Sequence, residues 1–422
     1  MIRLFLPLIF VIFLGACGGS GGSSGSDTHP ELDSDNDGTP DISDDLPLDP
    51  TETVDSDLDG VGDNADAYPN DPDKTTFSVT GSINGLSSEV KIYLNDQSLS
   101  LLEDGDFEFN VFMNTSFTIQ ANNLAGTQLC NVTNATHTAV DNIGAVVIEC
   151  VDREPLLDVL TSTYFIDDDF LSCLKNLDGM ESKLYVDQLT SVTCKNSAIT
   201  SIEGIERLSA LTELVLDLCR ITQIDVSQNS ELTLLFAPSN INLNGVNISG
   251  NSKLITVILN DNAITDLVVD SNTNLEILKL FNNPLTELDV SNNAKLSELN
   301  LESTELSTID LRFNTELTKL TLNNTAVGSE QLPNLEPVLD LSQNVKLIRL
   351  FLNNSQLSKL DVSHNPNLTR MDAEHNQLIL APSGLSGILS VDVFVNLSDN
   401  NFDEAALVEL QLLQETYSNL SY

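Results

Sequence analysis

Leu275-Glu-Ile-Leu278-Lys-Leu280-Phe-Asn-Asn283-Pro-Leu285-Thr-Glu-Leu288-Asp-Val290-Ser-Asn-Asn293 is followed at once by a variant of itself, Leu296-Ser-Glu-Leu299-Asn-Leu301-Glu-Ser-Thr304-Glu-Leu306-Ser-Thr-Ile309-Asp-Leu311-Arg-Phe-Asn314. Leucines open the equivalent phrases at Leu189, Leu211, Leu232, Leu254, Leu275, Leu296, Leu317, Leu347 and Leu368, in steps of 22, 21, 22, 21, 21, 21, 30 and 21 residues. A fixed period of this size means a solenoid with one supersecondary unit per turn. In Leu278-Lys-Leu280 apolar and polar residues alternate, as in a strand with one buried face. Three residues after Leu280 stands Asn283, and its counterparts are Ser197, Cys219, Asn240, Asn262, Thr304, Thr325, Ser355 and Asn376. A second row falls on the opposite turn: Asn229, Asn251, Asn272, Asn293, Asn314, Asn344 and Asn365. Inward side chains of this kind would bond backbone groups that stacking leaves buried. No coil can bury its leucines alone, so neighbours stabilise one another.

These residues match the leucine-rich repeat pattern. The first copy, Leu189-Thr-Ser-Val192-Thr-Cys194 through Ile199, Ile202, Ile205 and Leu208, resembles the internalin form. Later copies resemble the shorter bacterial form, in which Leu288-Asp-Val290-Ser-Asn-Asn293 and its like replace the convex-side leucines. The expected fold is mainly β: a leucine-rich repeat solenoid over 189–380, with an N-terminal cap over 153–188 and a C-terminal cap over 381–422. Both caps should be helical. Asp167-Asp-Asp-Phe170-Leu-Ser-Cys173-Leu-Lys-Asn-Leu177 has helical spacing and acidic residues at its start, which suit the helix dipole. Phe402, Ala405, Ala406, Leu407, Leu410 and Leu413 are the apolar face expected at the other end.

The chain starts with Arg3, an apolar run from Leu4 to Leu14, and Leu14-Gly-Ala-Cys17. The run is too short to span a bilayer and is laid out as a secretory signal. A cysteine after small residues resembles the lipobox of bacterial lipoproteins. That implies a signal over 1–17, cleavage before Cys17, and lipidation and acylation there; several acyl chains anchor durably. Gly18 and Gly19 rather than Asp suit outer-membrane sorting by analogy with enteric bacteria, and residues 18–30 form a Gly/Ser tether. The expected location is the bacterial outer membrane, lipid-anchored and surface-displayed.

Residues 31–75 hold Asp33-Ser-Asp35-Asn-Asp37-Gly38-Thr39-Pro-Asp41-Ile-Ser-Asp44 and, 22 residues later, Asp55-Ser-Asp57-Leu-Asp59-Gly60-Val61-Gly-Asp63-Asn-Ala-Asp66. Acidic residues at positions 1, 3, 5, 9 and 12, with glycine at 6 and a carbonyl from Thr39 or Val61 at 7, are the ligand set of a calcium loop. Flanking helices are missing, and Leu46-Pro-Leu-Asp49-Pro and Tyr68-Pro-Asn-Asp71-Pro follow instead. That arrangement resembles thrombospondin type 3 repeats. Position 12 is Asp rather than a bidentate Glu, so modest affinity is expected.

Residues 76–152 alternate in the strand manner at Phe77-Ser-Val79, Val90-Lys-Ile92, Phe107-Glu-Phe109 and Phe117-Thr-Ile119, which predicts a small antiparallel β-sandwich. Gly81-Ser-Ile-Asn-Gly85, Gly105-Asp-Phe107, Cys130-Asn-Val and Val147-Ile-Glu-Cys150 resemble a small sandwich of exported gammaproteobacterial proteins. Its expected role is a spacer. A Cys130–Cys150 bridge is expected, since a small exported domain gains from a staple. Cys173 is expected to pair with Cys194, leaving Cys219 as a free buried group; pairing of Cys194 with Cys219 is the alternative.

With 18 Lys plus Arg against 63 Asp plus Glu, the net charge is -45. That disfavours nucleic acid and anionic lipid surfaces. The histidines, His29, His137, His364 and His375, lie apart, and no nucleophile–base pair, phosphate loop or histidine metal motif is present. Nothing points to an enzyme. The remaining readings are a surface lipoprotein with a protein- or glycan-binding concave face, and a structural envelope protein without a ligand. Strand alternation turns Thr193, Val215, Phe236, Ile258, Lys279, Asn300, Thr321, Phe351 and Asp372 out of that face. Val215, Phe236 and Ile258 form one apolar column, and the next outward residue of each coil adds Pro238 and Phe281 beside it. Such clusters mark partner sites, although these residue types favour any β surface. Lys279 is placed to fix an acidic group.

Overall fold

The computed structural model describes residues 32–196, 198–328, 339–390 and 392–422. Cys17, the expected signal and tether around it, and Ser197 lie outside the described residues. The chain divides into two compact units, 1–152 and 153–422, taken separately below.

In the first unit the two acidic loops precede eight strands: β1 Phe77–Asn84, β2 Val90–Leu94, β3 Gln97–Leu101, β4 Gly105–Val111, β5 Ser116–Asn123, β6 Gln128–Thr133, β7 Thr136–Thr138 and β8 Ile143–Asp152. They form two four-stranded sheets, ordered β4-β1-β8-β6 and β3-β2-β5-β7. Phe77, Val79 and Ile83 of β1 are buried with Phe107, Phe109, Val146 and Ile148, and Val90, Ile92, Leu94, Phe117 and Ile119 supply the other face. The sandwich is not wholly antiparallel. β1 and β8, first and last in the unit, pair parallel. Parallel neighbours need a long crossover, and the whole second sheet lies between them in sequence. Cys130 and Cys150 face each other across β6 and β8 and are disulfide-bonded.

The second unit is the solenoid. Among the described residues, eleven strands form one parallel sheet running from Ser191–Cys194 to Leu420–Ser421. Most are three residues long, with the middle residue buried: Val257, Leu278, Leu299, Leu320 and Leu350 are fully enclosed. So short a strand makes few ladder bonds, and the side-chain rows supply the rest. Asn283 donates from Nδ2 to the carbonyls of Leu259 and Leu280, both at 2.9 Å, while its Oδ1 accepts from Ile264 N at 3.0 Å. Asn240, Asn262 and Asn376 repeat this bridging of two coils. Thr304 and Thr325 are shorter and bond only their own coil, at Leu301 O and Leu322 O. On the opposite turn, Asn293 Nδ2 donates to Val269 O and Asn272 O, and Asn314 Nδ2 to Val290 O and Asn293 O. Each asparagine there holds the backbone of the one before.

The 30-residue step is absorbed without a break. Lys319–Thr321 pairs directly with Arg349–Phe351, and Asn344 Nδ2 reaches Leu311 O and Asn314 O. The sheet also runs past residue 380. Phe394–Asn396 pairs with Arg370–Asp372, and Asn400 adds a rung by bonding Ala373 O and Leu397 O. At the start, helix Asp168–Lys175 is capped by Asp167, whose side chain accepts from the amides of Phe170, Thr200 and Ser201 and from Thr200 Oγ1. Partial burial pushes that carboxyl upward, but these bonds outweigh it and hold its pKa below the ordinary value. Cys173 on the helix is bonded to Cys194 on the first strand, and Cys219 is buried and free. At the far end, helix Glu404–Thr416 buries Ala406 and Leu410, with Phe402 and Leu413 packed alongside. Ala405 and Leu407, expected on that face, are exposed. They sit about 100° to either side of Ala406, off the stripe that the 402, 406, 410 and 413 spacing defines.

One backbone feature recurs that the leucine pattern does not announce. The residue just before each inward rung from Cys219 onward is left-handed: Leu218, Ser239, Asp261, Asn282, Ser303, Asn324, Asn354, His375 and Asp399 have φ between 53° and 59°. Asn and Asp tolerate this region; leucine does not. Leu218 is 59% exposed, so its side chain gains little from packing. Leu218→Asn should therefore stabilise the solenoid by about 1 kcal/mol. Thermal unfolding of the two proteins checks this, and a lower midpoint in the variant would refute it.

Candidate binding surface and acidic loops

The parallel register fixes how outward side chains line up on the concave face. Val215, Phe236, Ile258 and Lys279 are direct neighbours on successive strands, as are Leu234, Thr256 and Ile277 one row over. Val215, Phe236, Ile258 and Phe281 are all half-buried rather than open, because each lies between flanking coils. Pro238, expected in the open beside them, is buried. Leu234 and Ile277 were missed in the sequence. They precede the inward leucine of their coils, and alternation applied in that direction places them outward too. With them the patch spans three columns: Leu234 and Ile277 on either side of Thr256, then Val215, Phe236 and Ile258, then Phe281.

Lys279 is not a free cation. Its Nζ lies 3.1 Å from Glu298 Oε1, and Lys319 Nζ lies 2.8 Å from the same oxygen. Partial burial tends to raise the Glu298 pKa, but the hydrogen bonds and charges of Lys319 and Lys279 hold it below the usual range. This trio closes the apolar patch on its C-terminal side.

In the first unit the two acidic loops have the same backbone. Asn36 and Gly38 are left-handed in one, Leu58 and Gly60 in the other. The hydrogen bonds repeat one for one. Asp33 accepts from the amides of Asn36 and Gly38; Asp55 accepts from Leu58 and Gly60. Asp37 accepts from Thr39 N and Asp59 from Val61 N. Carboxylate oxygens of Asp33, Asp35 and Asp37 lie within 4.8 Å of one another, as do those of Asp55, Asp57 and Asp59. Asp44 and Asp66, at position 12, are 7% and 1% exposed. Each gives one oxygen to a following amide, that of Leu46 or Tyr68. The other oxygen is buried with no donor among the described residues, as are Asp35 Oδ2, both oxygens of Asp57, and Asp59 Oδ2. Asp41 and Asp63 stand apart from this set. Both oxygens of Asp41 accept from Ser34, at N and Oγ, and Asp63 does the same with Ser56. They brace the loop entrance, with no orphaned oxygen of their own.

Burial first, then the charges of their acidic neighbours, raise the pKa values of Asp35 and Asp57. Buried acceptors without donors and like charges held together are both costly. A divalent cation relieves both costs, and an all-oxygen donor set of this kind suits a hard ion such as calcium.

Elsewhere the chemistry is quiet. His375 pairs with exposed Asp399 at 3.2 Å, and His364 Nδ1 meets Ser363 Oγ. On the convex turns Asp289, Asp340 and Asp361 each accept the amide two residues on, so this acidic row is tied into turns.

No protein-family model matches the chain, and none of the curated proteins does. Among solved structures it is similar to the functional domain of InlJ from Listeria monocytogenes, at 23% identity over 57% of this chain and 71% of that chain, with a TM-score of 0.35. It is similar to InlP from the same organism at 23% identity, over 58% of this chain and 71% of that one, with a TM-score of 0.42. For a leucine-rich repeat protein of Leptospira interrogans the values are 21%, 58%, 76% and 0.35. At these identities and TM-scores no ligand, activity or site is carried over to this chain. The architecture, a leucine-rich repeat solenoid behind small β-sheets, rests on the register and side-chain rows described above.

Proposed function

We propose that this chain is a non-enzymatic lipoprotein of a bacterial outer membrane, anchored through Cys17, which presents the concave sheet of its solenoid to a protein or glycan partner. The observation that carries this reading is the half-exposed patch of Val215, Leu234, Phe236, Ile258, Ile277 and Phe281 on an open sheet face. The chain carries a net charge of -45, so a clustered apolar area on it is set against its own composition. Contiguous apolar surface is unfavourable in water, and burying it against a partner lowers the free energy. Aliphatic side chains dominate the patch and the chain has no Trp, which favours a protein over a glycan.

The acidic loops serve in this reading as a calcium-stabilised stalk. One ion would be held by Asp33, Asp35, Asp37, the Thr39 carbonyl and Asp44, with Asp41 bracing. A second would be held by Asp55, Asp57, Asp59, the Val61 carbonyl and Asp66, with Asp63 bracing. The orphaned buried oxygens support this set.

Four outcomes are expected. Replacing Phe236 and Phe281 by Ser should leave the far-ultraviolet circular dichroism intact and weaken binding of a partner isolated with the native solenoid. Unchanged affinity would move the site elsewhere. Calorimetry on the mature chain should show two calcium ions per chain, and a flat titration at millimolar calcium would sink the stalk reading. The sign with pH follows from the raised values of Asp35 and Asp57. Without calcium, protonation favours the folded loops, so that stability is present at low pH and is lost as pH rises through the raised values. Calcium competes with those protons, so its affinity should fall on acidification. Cys17→Ser should release the protein from the envelope fraction on centrifugation; a variant that still pellets to the same extent would exclude lipid as the anchor.

A further inference from the structure

We propose that the concave face of the last coils is the seat for an acidic segment of a polypeptide partner, received by Arg349 and Arg370 between Phe351 and Phe394. This deepens the partner-surface reading, on which it rests, by naming the chemistry of what docks.

The chain has only 18 Lys and Arg, yet three fall in one concave column. Lys319, Arg349 and Arg370 are direct neighbours on successive strands, and Phe394 follows them. Neighbouring strands lie about 4.8 Å apart, so these charges crowd one another unless something answers them. Lys319 is answered by Glu298, which it shares with Lys279. Arg370 bonds Asp372 through Nε at 2.9 Å, and its guanidinium lies 5.5 Å and 5.2 Å from the ring centroids of Phe351 and Phe394. That geometry fixes the Arg370 side chain in place with ring faces on two sides. Arg349 is exposed and has no hydrogen-bond or ion-pair partner for its guanidinium among the described residues.

The acids nearby do not fill that role. Glu374, two columns over, already accepts from Asn353 and Asn396 side chains. Asp372 is 5% exposed; one oxygen is held by Arg370, while Oδ1 is buried with no donor among the described residues. The face therefore offers one unanswered, exposed guanidinium, that of Arg349. An extended peptide carrying Asp or Glu supplies the complement: a carboxylate for Arg349, which can bind it with two parallel bonds.

The apolar patch argues for a polypeptide rather than an acidic polysaccharide. Ile258 and Arg349 stand four strands apart along the same sheet. That is about 19 Å at the usual strand spacing, or about six residues of extended chain. One segment with apolar side chains at one end and acidic ones about six residues away would cover both.

The test uses the mature full-length chain, immobilised in calcium, and a displayed library of random twelve-residue peptides. Selected sequences should carry Asp or Glu about six residues from an apolar pair. Synthetic copies of them, measured by fluorescence anisotropy, should bind Arg349→Glu at least about tenfold more weakly, and Arg349→Lys should recover part of the loss. Raising the salt concentration should weaken binding to the native chain more than to Arg349→Glu. Circular dichroism controls for folding, which an exposed side chain should not disturb. Selected peptides without acidic residues, insensitive to Arg349→Glu but weakened when Phe236 and Phe281 become Ser, would overturn this proposal and leave the partner surface standing. Binding of polygalacturonate in place of any peptide would overturn the choice of a polypeptide. Peptides indifferent to both sets of substitutions, or none selected, would overturn both readings.

Discussion

A side-chain amide bonded to the main-chain carbonyl of the preceding coil is the interaction on which this solenoid depends. Strands of three residues cannot hold a sheet together by their own ladder, and the long connections between them leave carbonyls facing an apolar interior. Asn229, Asn251, Asn272, Asn293, Asn314, Asn344 and Asn365 each donate twice, to two carbonyls of the coil before. An unmade bond at a buried carbonyl costs about 1–3 kcal/mol, so each asparagine matters more than its size implies. The row is not without cost. The Oδ1 atoms of these same asparagines are buried with no donor among the described residues. Two good bonds from each Nδ2 outweigh one unsatisfied oxygen, and the arrangement repeats because every coil meets the same constraint.

Repetition is also why so much was legible beforehand. The leucine steps, the two polar rows and the twin acidic loops each appear several times in the chain, so accident is averaged away. What escaped the sequence lies where a residue's surroundings come from a different coil or strand. Lys279 reads as a free cation until the register places Glu298 on the next strand. Pro238 reads as outward, as alternation demands, but neighbouring coils cover it. The parallel pairing of β1 with β8 joins residues 64 or 65 positions apart, and no local pattern encodes it. The coil at Phe394–Asn396 lacks the leading leucine and is seen only through its pairing and through Asn400. In the acidic loops the spacing gave all five carboxylates equal standing. The structure divides them: Asp41 and Asp63 bond serines, while Asp44 and Asp66 are buried beside their clusters.

The two units handle negative charge in different ways. On the convex turns of the solenoid, aspartates accept backbone amides two residues on, and their pKa values fall below the ordinary range where those bonds dominate, as at Asp289 and Asp340. Such a residue stabilises its turn when ionised and needs no counter-ion. In the loops of the first unit, burial and mutual repulsion push Asp35 and Asp57 the other way. The same residue type thus acts as a turn former in one place and as an unsatisfied cluster in the other, and local geometry alone makes the difference.

The ends of the solenoid are fastened unequally. The first strand is joined to its cap by the covalent Cys173–Cys194 bond, whereas the last coils are closed by a helix that buries Ala406 and Leu410. In a stack where each coil touches only its neighbours, opening begins where the closing contact is weakest. Amide hydrogens in the strands near Leu420 should therefore exchange sooner than those near Val192, and a pulling force applied to both ends of the solenoid should open it from the C-terminal side. The coils bearing Arg349 and Arg370 lie towards that end of the stack, three and two strands from Leu420–Ser421.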